Sequence, residues 1–262
     1  MKIIVCVKQV PNTNNIKINP ETGTLIRDGV ETILNHDDAN ALEEALRIKD
    51  MDPDCSVTVM TMGPSQSAEM LQECIAMGAD EAILLTDRML GGSDTWATSN
   101  ALAAGIKKCG GADIVFAGRQ AIDGDTAQVG PQLAEKLGLP QVTYVEKFRL
   151  DGRDIYVRRS LEDGYEEIKL QMPCVLTVIK DLNTPRYMSV PGILKGASQA
   201  IKIWTAGDIE VDDRTVGLEA SPTHVFRSFT PKPKGQGTRV EGDSPKEQVA
   251  FLINELKSKH II

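Results

Sequence analysis

The chain has 262 residues, 41% of them hydrophobic and 4% aromatic, and a formal net charge of −8. That length and apolar content suit one large α/β domain with appendages, or two small domains, and exclude global disorder. The acidic balance and the few aromatics disfavour nucleic acid, whose phosphates demand basic patches and whose unpaired bases want stacking platforms.

No apolar run approaches the ~20 residues of a membrane span. The chain opens on a strand without signal-peptide or presequence character, so a cytoplasmic location is expected. Five cysteines, at 6, 55, 74, 109 and 174, have no metal spacing and read as reduced structural thiols. His36, His224 and His260 are far apart, so no metal site is expected. There is no G-x-S-x-G, Walker lysine motif or C-x-x-C, and no catalytic residue is assigned. Redox chemistry would need a cofactor.

In chain order, Lys2 to Lys8 is a near-continuous apolar strand of the kind found in parallel sheets covered on both faces. Ile16–Ile18 and Thr24–Ile26 read as two short edge strands. Asn35-His36-Asp37-Asp38 precedes a helix through about Asp50, with an Asp as its natural N-cap. Cys55 to Met62 is the second central strand, followed by a helix ending near Gly78. Glu81 to Thr86 is the third. It runs into a Gly-rich loop, Asp87 to Thr95, at the start of a helix carrying Ala101, Leu102 and Ile106. Free N–H groups there make an anion-friendly site, although Ser93 or Asp94 could simply cap the helix.

Ile114 to Ala117 is the fourth strand, and a loop from Gly118 leads into a helix over Thr126 to Leu137, stopped by Gly138 and Pro140. This second loop-to-helix junction is also a natural anion site. Asp125 or Thr126 can cap the helix, and Asp123 can take ribose hydroxyls or pair with Arg119. Strand–helix alternation predicts a doubly wound parallel sheet, whose ligands bind beyond the strand carboxyl ends. From Gln141 the pattern becomes an antiparallel extension: strands Val142–Leu150, Asp154–Arg159, Glu166–Leu170 and Cys174–Ile179, with Asp-Gly turns at 151–152 and 163–164. Ile193 and Leu194 form an apolar pair on a flexible loop. Trp204 to Lys234 is a polar tail that cannot make a core alone, with Leu218, Val225 and Phe226 as possible contact points. Ser244-Pro245-Lys246-Glu247 is a capping box before an amphipathic helix with Val249, Leu252, Ile253 and Leu256 on one stripe. The expected units are an α/β domain over 1–190 and, over 191–262, a docking loop and an arm ending in a helix.

Several segments together resemble the β subunit of electron-transfer flavoproteins. They are Val5-Cys6-Val7-Lys8-Gln9-Val10-Pro11, Gly118 to Asp125, Val157 to Ile168 with Pro173, and Asn183-Thr184-Pro185-Arg186-Tyr187. The resemblance implies a heterodimer with a larger α subunit. By position it carries over a nucleotide pocket of Cys6, Asn35, His36, Asp37, Asp38 and Met62, with Gly118, Arg119, Gln120, Ala121, Ile122, Asp123, Gly124, Asp125, Thr126, Ala127, Gln128 and Val129. It gives the Ile193–Leu194 loop a docking role and the 191–262 segment contact with the α subunit.

Two features are similar to the electron-bifurcating branch, where FAD occupies the β site: Gly124 within the acidic run, and the segment with Asp87, Arg88, Gly91, Gly92, Ser93, Asp94, Thr95 and Thr98. The expected function is then electron transfer from NADH through FAD by bifurcation. The electrons would go to a ferredoxin or flavodoxin and, through the α-subunit FAD, to an acyl-CoA dehydrogenase-type partner. NADH oxidation is expected of the αβ heterodimer only. The alternatives are a simple electron carrier with structural AMP in the β site, and a non-redox adenine-nucleotide-binding protein.

Overall fold

A computed structural model describes residues 1–12, 31–226 and 235–262; the two expected edge strands at 16–18 and 24–26 lie outside them. The first half of the chain alternates strand and helix: β1 (Lys2–Cys6), β2 (Gln9–Pro11), β3 (Thr32–Leu34), α1 (His36–Met51), β4 (Ser56–Met62), α2 (Ser67–Met77), β5 (Glu81–Leu85), α3 (Thr95–Lys108), β6 (Ile114–Gly118) and α4 (Val129–Leu137). The second half holds β7 (Gln141–Asp151), β8 (Asp154–Leu161), β9 (Gly164–Gln171), β10 (Cys174–Val178), α5 (Val190–Ser198), β11 (Lys202–Trp204), α6 (Gly217–Ala220) and α7 (Pro245–Ser258).

The main sheet has nine strands in the order β11-β5-β4-β1-β6-β10-β7-β8-β9, and β2 pairs with β3 in a separate antiparallel ribbon. From β11 to β7 every pairing is parallel; β7, β8 and β9 are antiparallel. Strand alternation sends Ile3 and Val5 into one core with Leu42, Leu46 and Leu71 of α1 and α2. It sends Ile4 and Cys6 into the other, with Leu102, Ile106 and Leu133 of α3 and α4. A strand buried on both faces must be apolar at every position, which is why β1 reads as a continuous run. The chain leaves β1 in one direction through β4 and β5 and returns on its other side through β6, so the switch point lies between β1 and β6.

Four expectations need correction. The strand at 174–178 is not part of the antiparallel extension: β10 inserts in parallel between β6 and β7, and only β7 to β9 form the hairpins. The helix expected from Thr126 starts at Val129, because Asp125 (φ 51°) and Ala127 (φ 53°) are left-handed and cannot continue a right-handed helix. Ile193 and Leu194 sit on a helix, α5, rather than on a flexible loop. Ser189 caps it, and Gly192 and Gly196 lie against α2: a Cβ on Gly192 would overlap Ala76 O, and one on Gly196 would lie 2.5 Å from Gln72 O. The segment from Trp204 is not all polar tail: Trp204 ends β11 at the sheet edge, and Ala206, Ile209 and Val216 are buried in the α3–α4 core.

The C-terminal helix follows its expected box. Ser244 accepts from Glu247 N, and Glu247 Oε2 accepts from Asp243 N at 3.0 Å. None of its residues is buried, and Val249, Leu252 and Ile253 are exposed.

The α5 contact predicts that Gly196→Ala pushes α5 off the α2 backbone. Overpacking of this kind costs about 1–3 kcal/mol, and denaturant unfolding should register the loss; an unchanged midpoint would show that α5 slides without cost.

Candidate functional site

Parallel strands that diverge at a switch point leave a crevice beyond their carboxyl ends. Here it is a cavity of about 890 Å³, walled by residues that follow β1 (Lys8, Gln9), β4 (Gly63, Pro64), β5 (Thr86 to Arg88 and Leu90 to Thr95) and β6 (Arg119 to Ala121) and by the loop before α4. Asp38, in the first turn of α1, pins this mouth. Its Oδ2 accepts from Lys8 N at 2.8 Å and its Oδ1 from Gly118 N at 2.8 Å, tying the ends of β1 and β6 to one helix. Gly118 has to be glycine, because a Cβ would sit 2.7 Å from Asp38 N. Asp38 is therefore a clasp and not the helix cap. Asn35 holds the N-cap position, but its side chain makes no cap bond; it donates to Gln120 O at 2.8 Å and accepts from Ile122 N at 3.1 Å. Burial pushes the Asp38 carboxyl up to about 7, against the lowering pull of the Gly118 and Lys8 N–H groups. Burial likewise pushes the Cys6 thiol up to about 12, which leaves it protonated and unreactive.

The 118–129 loop solves an electrostatic difficulty. Carboxylates beside a phosphate site would repel the ligand, and each is turned elsewhere. Asp123 pairs with Lys8 Nζ at 2.6 Å, not with Arg119. Asp125 accepts from Gln120 Nε2 at 2.7 Å and caps nothing. Arg119 pairs with Asp37 through its buried Nε, which lies 3.4 Å from Asp37 Oδ2 in a contact that is ionic but makes no hydrogen bond among the described residues. The N–H groups of Gly124 and Asp125 close a turn on Ala121 O, so the donors open to an anion stand slightly later. Those of Thr126, Ala127, Gln128 and Val129 have no acceptor among the described residues. Left-handed Ala127 followed by right-handed Gln128 is the pairing that turns successive N–H groups toward one concavity.

The second loop is more committed to the fold. Asp87 accepts from Met89 N and Ala206 N. Asp94 caps α3 through Ala97 N at 3.0 Å. Ser93 Oγ donates to Leu90 O and accepts from Gly217 N. Thr95 Oγ1 donates to Gln128 Oε1 at 3.2 Å, joining the starts of α3 and α4 across the cavity. Arg88 lines the cavity with no side-chain partner among the described residues. With the acids turned to backbone donors, an amide or cations, Arg88 and the N–H groups of residues 126–129 leave the lining suited to an anionic ligand.

Most sequence-derived site residues meet here. Cys6, Asp38, Met62, Asp87, Arg88, Gly91 to Thr95, Thr98, Gly118 to Ala121 and Gly124 to Val129 line one cavity. Asn35, Asp37, Ile122 and Asp123 brace the lining from behind. His36 and the Ile193–Leu194 pair do not line it. The sequence reading missed Lys8, Gln9, Pro64, Gln66, Ser67 and Thr86 as lining residues. Thr86 directly follows β5, and Lys8 and Gln9 come within three residues of the end of β1, so the carboxyl-end rule applied strictly would have found them. Among the described residues there is no cluster of His, Cys, Asp and Glu able to hold a metal, and no helix long and apolar enough to cross a membrane.

These features define a doubly wound α/β protein with an anion-suited crevice at its switch point. The chain belongs to the electron transfer flavoprotein family, as a β-type subunit; the family model described as "Electron transfer flavoprotein domain" matches residues 22–209. It is 59% identical over 262 residues to the caffeyl-CoA reductase-Etf complex subunit CarD of Acetobacterium woodii, covering 100% of both chains. It is 56% identical over 263 residues to the electron transfer flavoprotein subunit beta of Clostridium acetobutylicum, again covering both fully. The acryloyl-CoA reductase electron transfer subunit gamma of Anaerotignum propionicum is 47% identical over 270 residues, with both chains covered fully.

The Asp38 clasp sets a pH dependence. Its folded value of about 7 lies above the ordinary 3.8, so between them the native state binds more protons than the unfolded one. Its contribution to stability therefore falls as pH rises from about 4 to about 7. In Asp38→Asn the unfolding free energy should vary with a more positive slope across that window. Parallel pH profiles for the two proteins would show that the carboxyl is ionised throughout.

Proposed function

We propose that this chain is the β subunit of a heterodimeric electron-transfer flavoprotein that holds FAD in the switch-point cavity and works by electron bifurcation. The observation that carries this reading is the extent of the cavity. At about 890 Å³ it lies near the upper end of the ~300–1,000 Å³ usual for small-molecule sites, and it runs from the start of α4 to the start of α3. A mononucleotide needs only the α4 end; an extended dinucleotide uses both.

When bound, the flavin supplies what no side chain here can: acceptance of a hydride from NADH and release of its two electrons along separate paths. The chain's own residues bind and orient. The N–H groups of Thr126 to Val129 suit the phosphates, and Arg119 adds a cation to the same lining. Asn35 and the Asp123–Lys8 pair keep the 118–125 loop in shape. Thr98, at the start of α3, and Arg88 offer a hydroxyl and a cation to the far end of the ligand. One electron would leave through the α-subunit FAD to an acyl-CoA dehydrogenase-type partner, and the other to a low-potential ferredoxin or flavodoxin. The relatives named for caffeyl-CoA and acryloyl-CoA reductase complexes support a partner of that class.

The docking face in this reading is α5. Ile193 is 48% exposed and Leu194 69% exposed on the side away from α2, with Tyr187 and Val190 exposed beside them. The segments that follow, with the exposed stripe of α7, would contact the α subunit.

Counting nucleotides in the purified αβ pair tests the reading. About two FAD per pair, bleached by NADH, are expected; one FAD with one AMP and no response to NADH would leave a simple carrier. For docking, burial of a large apolar side chain is worth ~1.5–3 kcal/mol, so Leu194→Ala should weaken the dehydrogenase complex about tenfold or more at constant flavin content. Normal docking with a lowered melting temperature would instead make Leu194 a folding residue.

A further inference from the structure

The Gly-rich loop between β5 and α3 is not self-supporting. Besides their local bonds to Leu90 O and Ala97 N, Ser93 and Asp94 are held by a segment more than 120 residues later in the chain. Asp94 N donates to Ser221 Oγ at 2.8 Å, Thr223 N donates to Asp94 Oδ2 at 3.0 Å, and Gly217 N donates to Ser93 Oγ at 2.9 Å. Ser221 is buried, and its hydroxyl works in both directions, since it also donates to Gly217 O at 2.8 Å. The two strands of this clasp meet at glycines. Gly217, at φ 79°, leaves no room for a Cβ against Met89 O, and a Cβ on Gly92, at φ 74°, would sit 2.9 Å from Leu218 Cβ. Asp94 joins both ends of the arrangement, because its other oxygen caps α3 through Ala97 N.

We infer that Ser221 is a positioning residue for the cavity, fixing the Gly91–Thr95 loop and the start of α3 in the shape in which they line it. The hydroxyl touches no ligand; it acts through Asp94. Directly beyond it the chain leads toward the C-terminal arm, with Val225 and Phe226 exposed. The segment that leads to the arm is thus tied to the far wall of the ligand site through Gly217, Ser221 and Thr223, with Ser221 the one that does so by its side chain. The tie acts directly on the α3 end, which the Thr95–Gln128 bond links to the start of α4; the 118–125 loop beside α4 has its own supports in Asn35, Lys8 and Asp123.

This rests on the reading that the cavity holds a dinucleotide, and the two are separable by experiment. In the purified αβ pair, Ser221→Ala removes one buried hydrogen bond of each polarity. It should weaken FAD binding about three- to tenfold and leave AMP binding unchanged, because AMP needs only the α4 end. Hydrogen exchange at the amides of Gly92, Ser93 and Thr95 to Thr98 should quicken in the ligand-free pair. Ser221→Thr, which keeps the hydroxyl, should restore both. Thr223→Pro, which deletes the Thr223 N–H and also fixes the backbone φ there, is the second variant and should act in the same direction. Equal weakening of FAD and AMP with a lowered melting temperature would overturn the inference, as would unchanged exchange in Ser221→Ala and Thr223→Pro. Should the wild-type pair bind AMP and no FAD, the dinucleotide reading fails; exchange at the loop then still decides the positioning role.

Discussion

Where two parallel strands part at a switch point, the N–H groups just beyond their ends lose their ladder partners, and a buried donor left unpaired is costly. In this protein one carboxylate takes both. Asp38 accepts from Lys8 N after β1 and from Gly118 N at the end of β6, so the crevice is held open by the first turn of α1. Much of the site follows from that bridge. Lys8 is oriented to meet Asp123, and Asn35 is placed to hold Gln120 O and Ile122 N. Gly118 must lack a side chain for α1 to come so close. Bringing Asp38 out of water raises its pKa, and the protein accepts that cost in return for a fixed mouth.

The same economy of carboxylates sets the character of the cavity. An acidic chain lines an anion-suited site by committing its acids locally: Asp87 and Asp94 to backbone donors, Asp123 to Lys8 and Asp125 to Gln120. Net charge describes the whole surface and is a poor guide to one concavity, where a few committed side chains decide the local field.

The central sheet was legible because burial on both faces forces apolar runs, and the loops were legible because glycine and aspartate mark strand-to-helix junctions. The limits were physical too. The start of α4 was misplaced since Asp125 and Ala127 adopt left-handed backbone that neither residue type announces. Helix α5 was hidden because Gly192 and Gly196 look like loop residues until a neighbouring backbone shows why they are small. The parallel place of β10 depends on which strands it joins, and alternation within one strand carries no such information. Ser93 and Asp94 read equally well as ligand donors or caps; their partners at 217–223 lie too far along the chain for local pattern to reveal.

The strand order also governs how the molecule is made. β1 precedes the other strands of the sheet in the chain, yet it lies at the middle of the sheet, between β4 and β6. Its second edge stays open until residue 118 has emerged, and β6 in turn waits for β10 near residue 178. Until then a wholly apolar strand has to be kept from pairing with other chains, at synthesis rates of ~5–20 residues per second. Nascent-chain vulnerability is therefore greatest for the segment that ends up best protected, and closure of the Asp38 bridge marks the length at which the centre of the sheet can first become native.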